Sequence, residues 1–319
     1  MRRAVPIVLG IFLLAAARPA AAKFCGDDVA GADVPCDCGD IVVSNLTLAD
    51  DPVTSTECGG DGLVVRAPEA SAGVTVDLNG KTLRGGKRGT AIWVVDGGPG
   101  GVRVVSSGGR AAIEGFRDGI VARTAQVVAL VENVNVRRCS RDGVSLGGAD
   151  YQVRAVDVSD AGRDGFALGG RYYRCDGTSA VRSGRFGYFI DGQNGTIGRV
   201  QAGNTAEQSG NDGFHIMGSG MRLNLCVATG NRKDGVTLRG AGHEVTACDA
   251  RGNAHDGISG EGANLAFYAN GAEDNGRDGL AVTGGHLVDG GGNSGSGNRG
   301  EGLQRPAIQC EIGSAPCQP

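Results

Sequence analysis

Bulky side chains are scarce in this chain. Only 4% of its 319 residues are aromatic, with a single Trp, and Met occurs three times. A globular core of ordinary thickness draws on more large residues than that. Helix caps and a 3.6-residue apolar period are missing along the whole length, which excludes a helical domain. Beyond residue 22 no stretch is long and apolar enough to cross a bilayer as a helix. Positive charge is not in excess either: the formal net charge is −4, which argues against a nucleic-acid partner. What abounds is glycine, 59 residues. It follows no three-residue period, which excludes collagen, and Val, Ile and Leu recur in short alternating runs, which excludes disorder.

The first 22 residues read as a secretory signal. Arg2 and Arg3 form the charged start, Ala4 to Ala17 is apolar but short for a span, and Ala20, Ala21 and Ala22 offer a cleavage site before Lys23. Loss of this segment removes three Arg and no acid, so the formal charge moves from −4 to −7. The expected location is secreted or periplasmic, and ten cysteines in an exported chain point to disulfides. Cys25, Cys36, Cys38 and Cys58 crowd residues 23–59, a cysteine-rich N-terminal cap with three possible pairings. Cys310 and Cys317 are expected to close a loop in the tail, residues 306–319. Zinc is a rival use of Cys36 and Cys38, but no CxxC pair or His partner accompanies them.

An Arg-Asp-Gly triplet recurs at 117–119, 141–143, 163–165 and 277–279, with near-copies between. Its glycines (Gly119, Gly143, Gly165, Gly187, Gly213, Gly235, Gly257, Gly279 and Gly302) are separated by 24, 22, 22, 26, 22, 22, 22 and 23 residues. So regular a step marks a repeat architecture in which one unit is too thin to bury a core alone. The residue after each glycine is apolar, and two positions on come Leu146, Leu168, Ile190, Ile216, Leu238 and Val282. This period-two alternation predicts a short strand with those residues inward. A second strand follows a Gly-rich turn, as at 151–158, 221–228 and 243–250. Residues 74–86 and 89–94 read as earlier, less regular coils, with a turn at Asn79-Gly80. Such strands stack in parallel about 4.8 Å apart, so the eight intervals rise roughly 38 Å.

Four residues before the triplet glycine stand Asn231, Asn253, Asn275 and Asn298, at one phase. Stacked amides of this kind can pass hydrogen bonds from coil to coil. The unit G-N-x-x-D-G-[VI]-x-[LV], at about 22 residues per turn, resembles the right-handed parallel β-helix repeat of pectate-lyase-like proteins and of secreted carbohydrate-binding and sugar-hydrolysis domains. The resemblance covers roughly residues 60–305. It implies an all-β fold: a right-handed, single-stranded parallel β-helix solenoid behind a disulfide-rich N-terminal cap. A leucine-rich repeat shares the period but needs Leu where this chain has Cys226, Ala228, Cys248 and Ala250. Cys226 and Cys248 share a phase, and parallel Cβ vectors at coil spacing favour packed thiols over a disulfide there.

The triplet has a structural reading. Its glycine is expected at a positive φ or a tight corner, and its Asp can bond nearby backbone N–H groups. Carboxylates stacked about 4.8 Å apart cost about 0.9 kcal/mol per neighbouring pair in water. A largely basic ladder one residue before (Arg117, Arg141, Arg163, Arg185, Asn211, Lys233, His255 and Arg277) offsets a similar amount, so the two ladders can balance without a ligand. A cation row or a charged saccharide groove is the functional alternative.

The repeat breaks most at the step from Gly187 to Gly213, where Phe186 replaces Asp and Tyr172, Tyr173 and Tyr188 gather. The outward position two after the glycine runs Val121, Ser145, Ala167, Phe189, His215, Thr237, Ser259, Ala281 and Gln304. A sugar ring could stack on Phe189, with polar contacts from Arg185, Asp191 and Asn211. His215 is the candidate for proton transfer, since imidazole titrates near neutrality. His215, Met217 and Met221 also form a soft ligand set of the kind that suits Cu(I), and some exported β-helix relatives are described as periplasmic copper-binding proteins. His243, His255 and His286 fall at unrelated phases. The resemblance brings no DPH motif of uronan epimerases, no RxPxxR of pectate lyases and no paired-Asp, HG and RIK set of polygalacturonases. The expected function is therefore binding of an extended polysaccharide on the long face, by a monomer without a cofactor. The alternatives are a non-catalytic structural surface protein, a copper-binding protein, and a polysaccharide lyase or uronate epimerase. The last would use His215 or Tyr188 as base and Arg185 to neutralise the uronate.

Overall fold

The computed structural model describes residues 22–69, 71–122, 128–199 and 203–299, with the backbone alone of 310–312 and 315–316. The signal segment up to residue 21, the coil at Gly302 and the Cys310–Cys317 bridge fall outside the described residues. The chain is an all-β parallel solenoid of about 11 turns. A four-residue helix at Pro52–Ser55 is the one helix among the described residues.

Each regular coil lays down three short strands, for example Phe214–Ser219, Arg222–Asn224 and Val227–Thr229. The first strands of all coils form one wall, a 15-stranded sheet. It is parallel except at its two ends, where Phe24–Val29 meets Ala32–Val34, and Cys310–Ile312 meets Ala315–Pro316, in antiparallel pairs. The second and third strands form the other two faces. These count as one 20-stranded sheet because Val128–Arg137 and Gln152–Ser159 run through the corner between them. Alternate residues on each strand point inward, and their stacking keeps a constant register, as in Phe166, Tyr188, Phe214, Val236, Ile258 and Leu280 on successive coils. The wall runs without interruption into the cysteine-rich segment, since Asp40–Val42 pairs in parallel with Leu63–Val65.

A thin interior explains the shortage of bulk. The inner column of the third face is Val158 followed by Ala180, Ala206, Ala228, Ala250 and Ala272, all buried. In the middle coils the first wall contributes bulk, with Phe166, Tyr188 and Phe214 stacked at centroid distances of 4.7 and 4.5 Å. Tyr151 and Tyr173 stack at 4.9 Å in the corner beyond it. Tyr173 and Tyr188 are therefore core residues, and only Tyr172 of the three clustered tyrosines is exposed. The longer step before Gly213 leaves the first wall untouched. In sequence the extra residues fall between Ile197 and Asn204, since the offset between neighbouring coils is 22 at Cys175 and Ile197 and 26 at Thr178 and Asn204.

At the triplet glycines the expectation of a positive φ fails, while that of a tight place closed to a side chain holds. None of Gly119, Gly143, Gly165, Gly187, Gly213, Gly235 and Gly257 has a positive φ. They are required because neighbouring coils approach too closely. A Cβ on Gly235 would stand 2.5 Å from the Gly257 carbonyl oxygen and 2.7 Å from Asn253 Nδ2.

The asparagine ladder forms as predicted. The backbone N–H and Nδ2 of Asn231 both donate to Asn253 Oδ1, at 3.0 and 2.9 Å. Asn253 does the same to Asn275, and Asn275 to Asn298. Each Nδ2 also donates to a carbonyl of the third strand, such as Asn253 to Ala228 at 3.0 Å. A second ladder precedes the third strands. Thr178 donates to Asn204 Oδ1, Cys248 to Asn270 Oδ1 and Asn270 to Asn293 Oδ1, each through its backbone N–H.

Cys226 and Cys248 fill the two missing rungs of that second ladder, and they are bonded to each other, contrary to the expectation of free thiols. Coil stacking brings their Cα atoms to 4.4 Å, within the span a disulfide bridges. Cys25–Cys36 and Cys38–Cys58 staple the N-terminal end, which selects one of the three possible pairings. Cys139 and Cys175 are buried thiols, and burial pushes the pKa of each up to about 12.

Replacing both Cys226 and Cys248 by Ala is expected to cost about 3 kcal/mol, the loop-closure value for a bridge of this span. Replacing both by Asn should recover much of that loss, because two amides would restore the rungs. Urea unfolding midpoints of the two double variants check this. Equal midpoints would mean that the column does not act as a ladder.

Candidate functional site

The first wall presents a continuous outward column. Register pairing places Val64, Trp93, Val121, Ser145, Ala167, Phe189, His215, Thr237, Ser259 and Ala281 on successive coils. Val121 and Ser145 are only 6% and 8% exposed despite facing outward, so the column is the floor of a trough. The Asp of each triplet, with the residue before it, forms one bank.

That bank has two electrostatic halves. In the first, Arg141, Arg163 and Arg185 reach back to the carboxylate of the coil before, while Arg117 turns to Asp118 of its own coil. Arg163 Nε donates to Asp142 Oδ1 at 2.7 Å and Arg185 Nε to Asp164 Oδ1 at 2.8 Å, and in both pairs Nη2 contacts the second carboxylate oxygen. Arg117 and Arg141 each approach Asp118 at 2.9 Å through Nε. Hydrogen bonding to these carboxylates raises the pKa of Arg163 and Arg185. Asp142 and Asp164 are fully buried, so the guanidiniums that cover them are spoken for. The balanced pair of ladders expected from the triplet is realised here.

In the second half the preceding residues are Asn211, Lys233, His255 and Arg277, and the carboxylates find other partners. Asp234 Oδ2 accepts Thr237 Oγ1 at 3.1 Å and Ser259 Oγ at 2.8 Å. Each Asp also takes the backbone N–H of the next one: Asp234 to Asp212 at 3.3 Å, Asp256 to Asp234 at 3.1 Å, and Asp278 to Asp256 at 3.0 Å. Asp256 carries the strain of this arrangement. Burial, with the charges of Asp234 and Asp278 added, pushes its pKa up to about 6.

Phe186 stands at the boundary, in the slot where other coils place Asp. Its ring stacks on His215 at 4.5 Å and near Phe189 at 5.8 Å, while Phe189 and His215 are 6.0 Å apart. Arg185 closes the group with its Cζ 4.8 Å from the Phe186 centroid and 5.1 Å from that of Phe189. The rings are nearly parallel, and Phe189 and His215 are register neighbours on successive coils. Their faces therefore turn along the solenoid axis and their edges turn outward, so Phe189 is not an open platform for a sugar ring.

Asp212 completes the site. Its Oδ2 lies 2.8 Å from His215 Nδ1, which fixes the imidazole and leaves Nε2 as its remaining nitrogen. With Asp212 and His215 side chains 7% and 13% exposed, the pair is shielded but reachable from the trough. A carboxylate-oriented imidazole of this kind can accept and return a proton.

The sequence-predicted residues are partly united. Arg185, Phe189 and His215 meet in one stack. Asn211 is half-buried beside it, its N–H donating to Arg185 O at 2.6 Å. Asp191 lies two residues beyond Phe189, in an adjoining hollow of about 480 Å³ with Arg171 and Gln193. Tyr188 is excluded as a base, since it is fully buried with its hydroxyl 2.8 Å from Thr178 Oγ1, and burial holds its pKa well above the ordinary value. Arg185 does not serve as a free neutralising cation, because Asp164 already holds it. The copper set does not converge. Met217 shares the outer side of the strand with His215, but Met221 is buried, its sulfur accepting the Gly195 N–H at 3.3 Å and facing the Tyr173 hydroxyl at 3.8 Å. Among the described residues no group of three or more His, Cys, Asp or Glu side chains gathers as a metal site. Asp212 and Trp93 are not among the site residues expected from the sequence, and Phe186 is read there only as the place where the repeat breaks. That break is the sequence's only signal for Asp212.

Asp256→Asn keeps an oxygen to accept the Asp278 N–H and removes the charge. A folded pKa above the unfolded value near 3.8 leaves ionisation unpenalised at low pH and costly as pH rises through about 6. The variant is therefore expected to be more stable than the parent at pH 8 by about 1 kcal/mol, discounted for partial solvation, and equal to it at pH 4. Denaturant titrations at both pH values test this, and an equal gain at both would remove charge as its cause.

No family model and no curated protein matches the chain. Among solved structures it is similar to pectate lyase Pel9A, at 16% identity over 81% of this chain and 80% of that one, with a TM-score of 0.48. It is similar to the periplasmic alginate epimerase AlgG, solved as a double mutant, at 16% identity over 81% and 74% of the two chains, with a TM-score of 0.47. It is also similar to the A-module of the Azotobacter vinelandii mannuronan C-5 epimerase AlgE4, at 13% identity over 75% and 82%, with a TM-score of 0.41. Similarity at this level says nothing of activity, and the parallel solenoid stands on the strand registers themselves.

Proposed function

We propose that this protein is an exported solenoid that binds an extended polysaccharide along the outward column of its first wall. The observation that carries the reading is the trough itself. Small outward residues, Val121, Ser145 and Ala167, make a continuous floor that ends at the Phe186–Phe189–His215 stack and the Asp212–His215 pair. A linear polymer suits a straight, shallow, repeating surface better than a compact ligand does. The disulfides at the N-terminal end fit an oxidising compartment outside the cytoplasm.

A second reading is favoured by one contact. The 2.8 Å approach of Asp212 to His215 supplies the oriented base that proton-transfer chemistry on a bound sugar needs. Uronate lyase or epimerase chemistry also needs a cation for the sugar carboxylate. Arg185 is bonded to Asp164, so that requirement is unmet by the residue first assigned to it. A purely structural role predicts no glycan affinity at all.

Calorimetric titration with a panel of soluble polysaccharides separates these readings. The parent is expected to bind at least one, and His215→Ala to weaken that binding about tenfold, as loss of a central contact does. Turnover that vanishes in His215→Ala and Asp212→Asn while affinity survives would favour catalysis. Absence of heat with every polymer would leave the structural role.

A further inference from the structure

We infer that the trough has a second, separate saccharide subsite at Trp93, and that this subsite takes a neutral pyranose of an uncharged polymer. The inference rests on the polysaccharide reading and specifies the class of sugar. Trp93 is the chain's single tryptophan. It sits inside the strand Thr90–Asp96, not at a loop tip, and is nevertheless 44% exposed. Its register neighbours are Val64 and Val121, so it stands in the same outward column as His215. An aromatic side chain of that size left in water on a regular strand is an unused apolar surface with a polar edge, the kind of group that binding sites enlist.

The surroundings suit a sugar. A hollow of about 460 Å³ is bounded by Trp93, Asp61, Thr90, Arg117, Asp118 and Arg141. Arg117 Nε donates to Asp118 Oδ2 at 2.9 Å, while Arg141 Nε lies 2.9 Å from Asp118 Oδ1 and 3.5 Å from Asp142 Oδ2 without a hydrogen bond to either. Both side chains are partly exposed at the hollow, and a guanidinium carries five N–H donors that hydroxyls can use. Asp61, whose Oδ1 accepts the Thr90 N–H at 2.7 Å, adds an acceptor. Donors and an acceptor beside an exposed indole are what a ring with an apolar face and a rim of hydroxyls requires.

Charge decides between a neutral sugar and a uronate. The hollow is lined by two guanidiniums and two carboxylates, Asp61 and Asp118, so no net positive charge is left for a sugar carboxylate. A uronate there would compete with Asp118 for the same arginines. Further along the trough the balance within the triplets turns negative, since Asp212, Asp234, Asp256 and Asp278 have only Lys233 and Arg277 as full cations in the preceding slot. Trp93 and Phe189 are four rungs apart, about 19 Å at strand spacing. A polyanion reaching from Trp93 to His215 would run onto that acidic stretch, whereas an uncharged polymer would not.

The single tryptophan makes the test direct. Fluorescence of the full chain is titrated with cellohexaose, mannohexaose and xylohexaose, and with oligogalacturonate and oligomannuronate of similar length. Calorimetry is run in parallel. The expected result is a saturable change in emission with at least one neutral hexamer, and affinity for the acidic oligomers weaker by at least about tenfold. Trp93→Ala should lower calorimetric affinity for the neutral hexamer roughly tenfold, with Trp93→Phe between, as expected for loss of an aromatic contact. Glycan binding without a change in emission and unaffected by Trp93→Ala would overturn the subsite and leave the polysaccharide reading standing. Preferential binding of the acidic oligomers would overturn the neutral assignment. No heat with any oligomer, or a concentration-dependent emission change that tracks self-association on sizing, would overturn the subsite, and the former would take the polysaccharide reading with it.

Discussion

Across most of the regular coils a side-chain oxygen accepts a backbone N–H from the adjacent coil and joins one turn to the next. The solenoid corners leave such N–H groups without strand partners, and a buried one left unpaired costs about 1–3 kcal/mol. Two sets of side chains answer this, with opposite polarity. In the asparagine column the earlier coil donates and the later coil accepts, as Asn231 does to Asn253. In the aspartate column the later coil donates and the earlier accepts, as Asp256 does to Asp234. Each rung works only while an acceptor side chain stays in register with the N–H it serves, so the 22-residue period follows from the hydrogen bonding as much as from the core.

The same stacking creates the surface chemistry. Carboxylates held at rung spacing by their structural role repel one another, and the chain resolves that repulsion in two ways. Arginines span the rungs from Asp118 to Asp164 and leave that bank near neutrality. Hydroxyls and an imidazole serve the rungs from Asp212 onward, where Asp256 is left with a raised pKa. Phe186 marks the change. By giving up a carboxylate at one rung it opens space for a ring over His215, and the Asp212–His215 pair forms beside it. The candidate site is therefore a fault in a repeating electrostatic pattern, built from the residues that elsewhere serve the scaffold.

Much of the scaffold was legible because a solenoid turns sequence offset into spatial contact. Equal phase meant vertical neighbours for Asn231, Asn253, Asn275 and Asn298, and alternation along a strand separated inward Ile216 from outward His215. The errors came from contacts that phase does not specify. The role of the triplet glycine depends on how closely a carbonyl approaches from the next coil, as at Gly235, and not on its own φ. The Cys226–Cys248 bond depends on the distance between two rungs of one column. Met217 and Met221 look alike four residues apart, yet a corner between them sends one out and the other into the core.

The sequence by itself determined the period, the parallel wall, the ladder and the faces of the strands, because each is a repeated local choice summed over many coils. Tertiary structure alone decided which carboxylate each arginine neutralises, that Asp212 orients His215, that the Phe189 ring lies edge-on, and that Trp93 stays open to solvent. Those outcomes depend on rotamers and on distances of a few ångströms between side chains of different coils. A single chain of letters carries no record of them, since rungs with the same spelling of charge can pair forward, pair backward or bond to a hydroxyl instead.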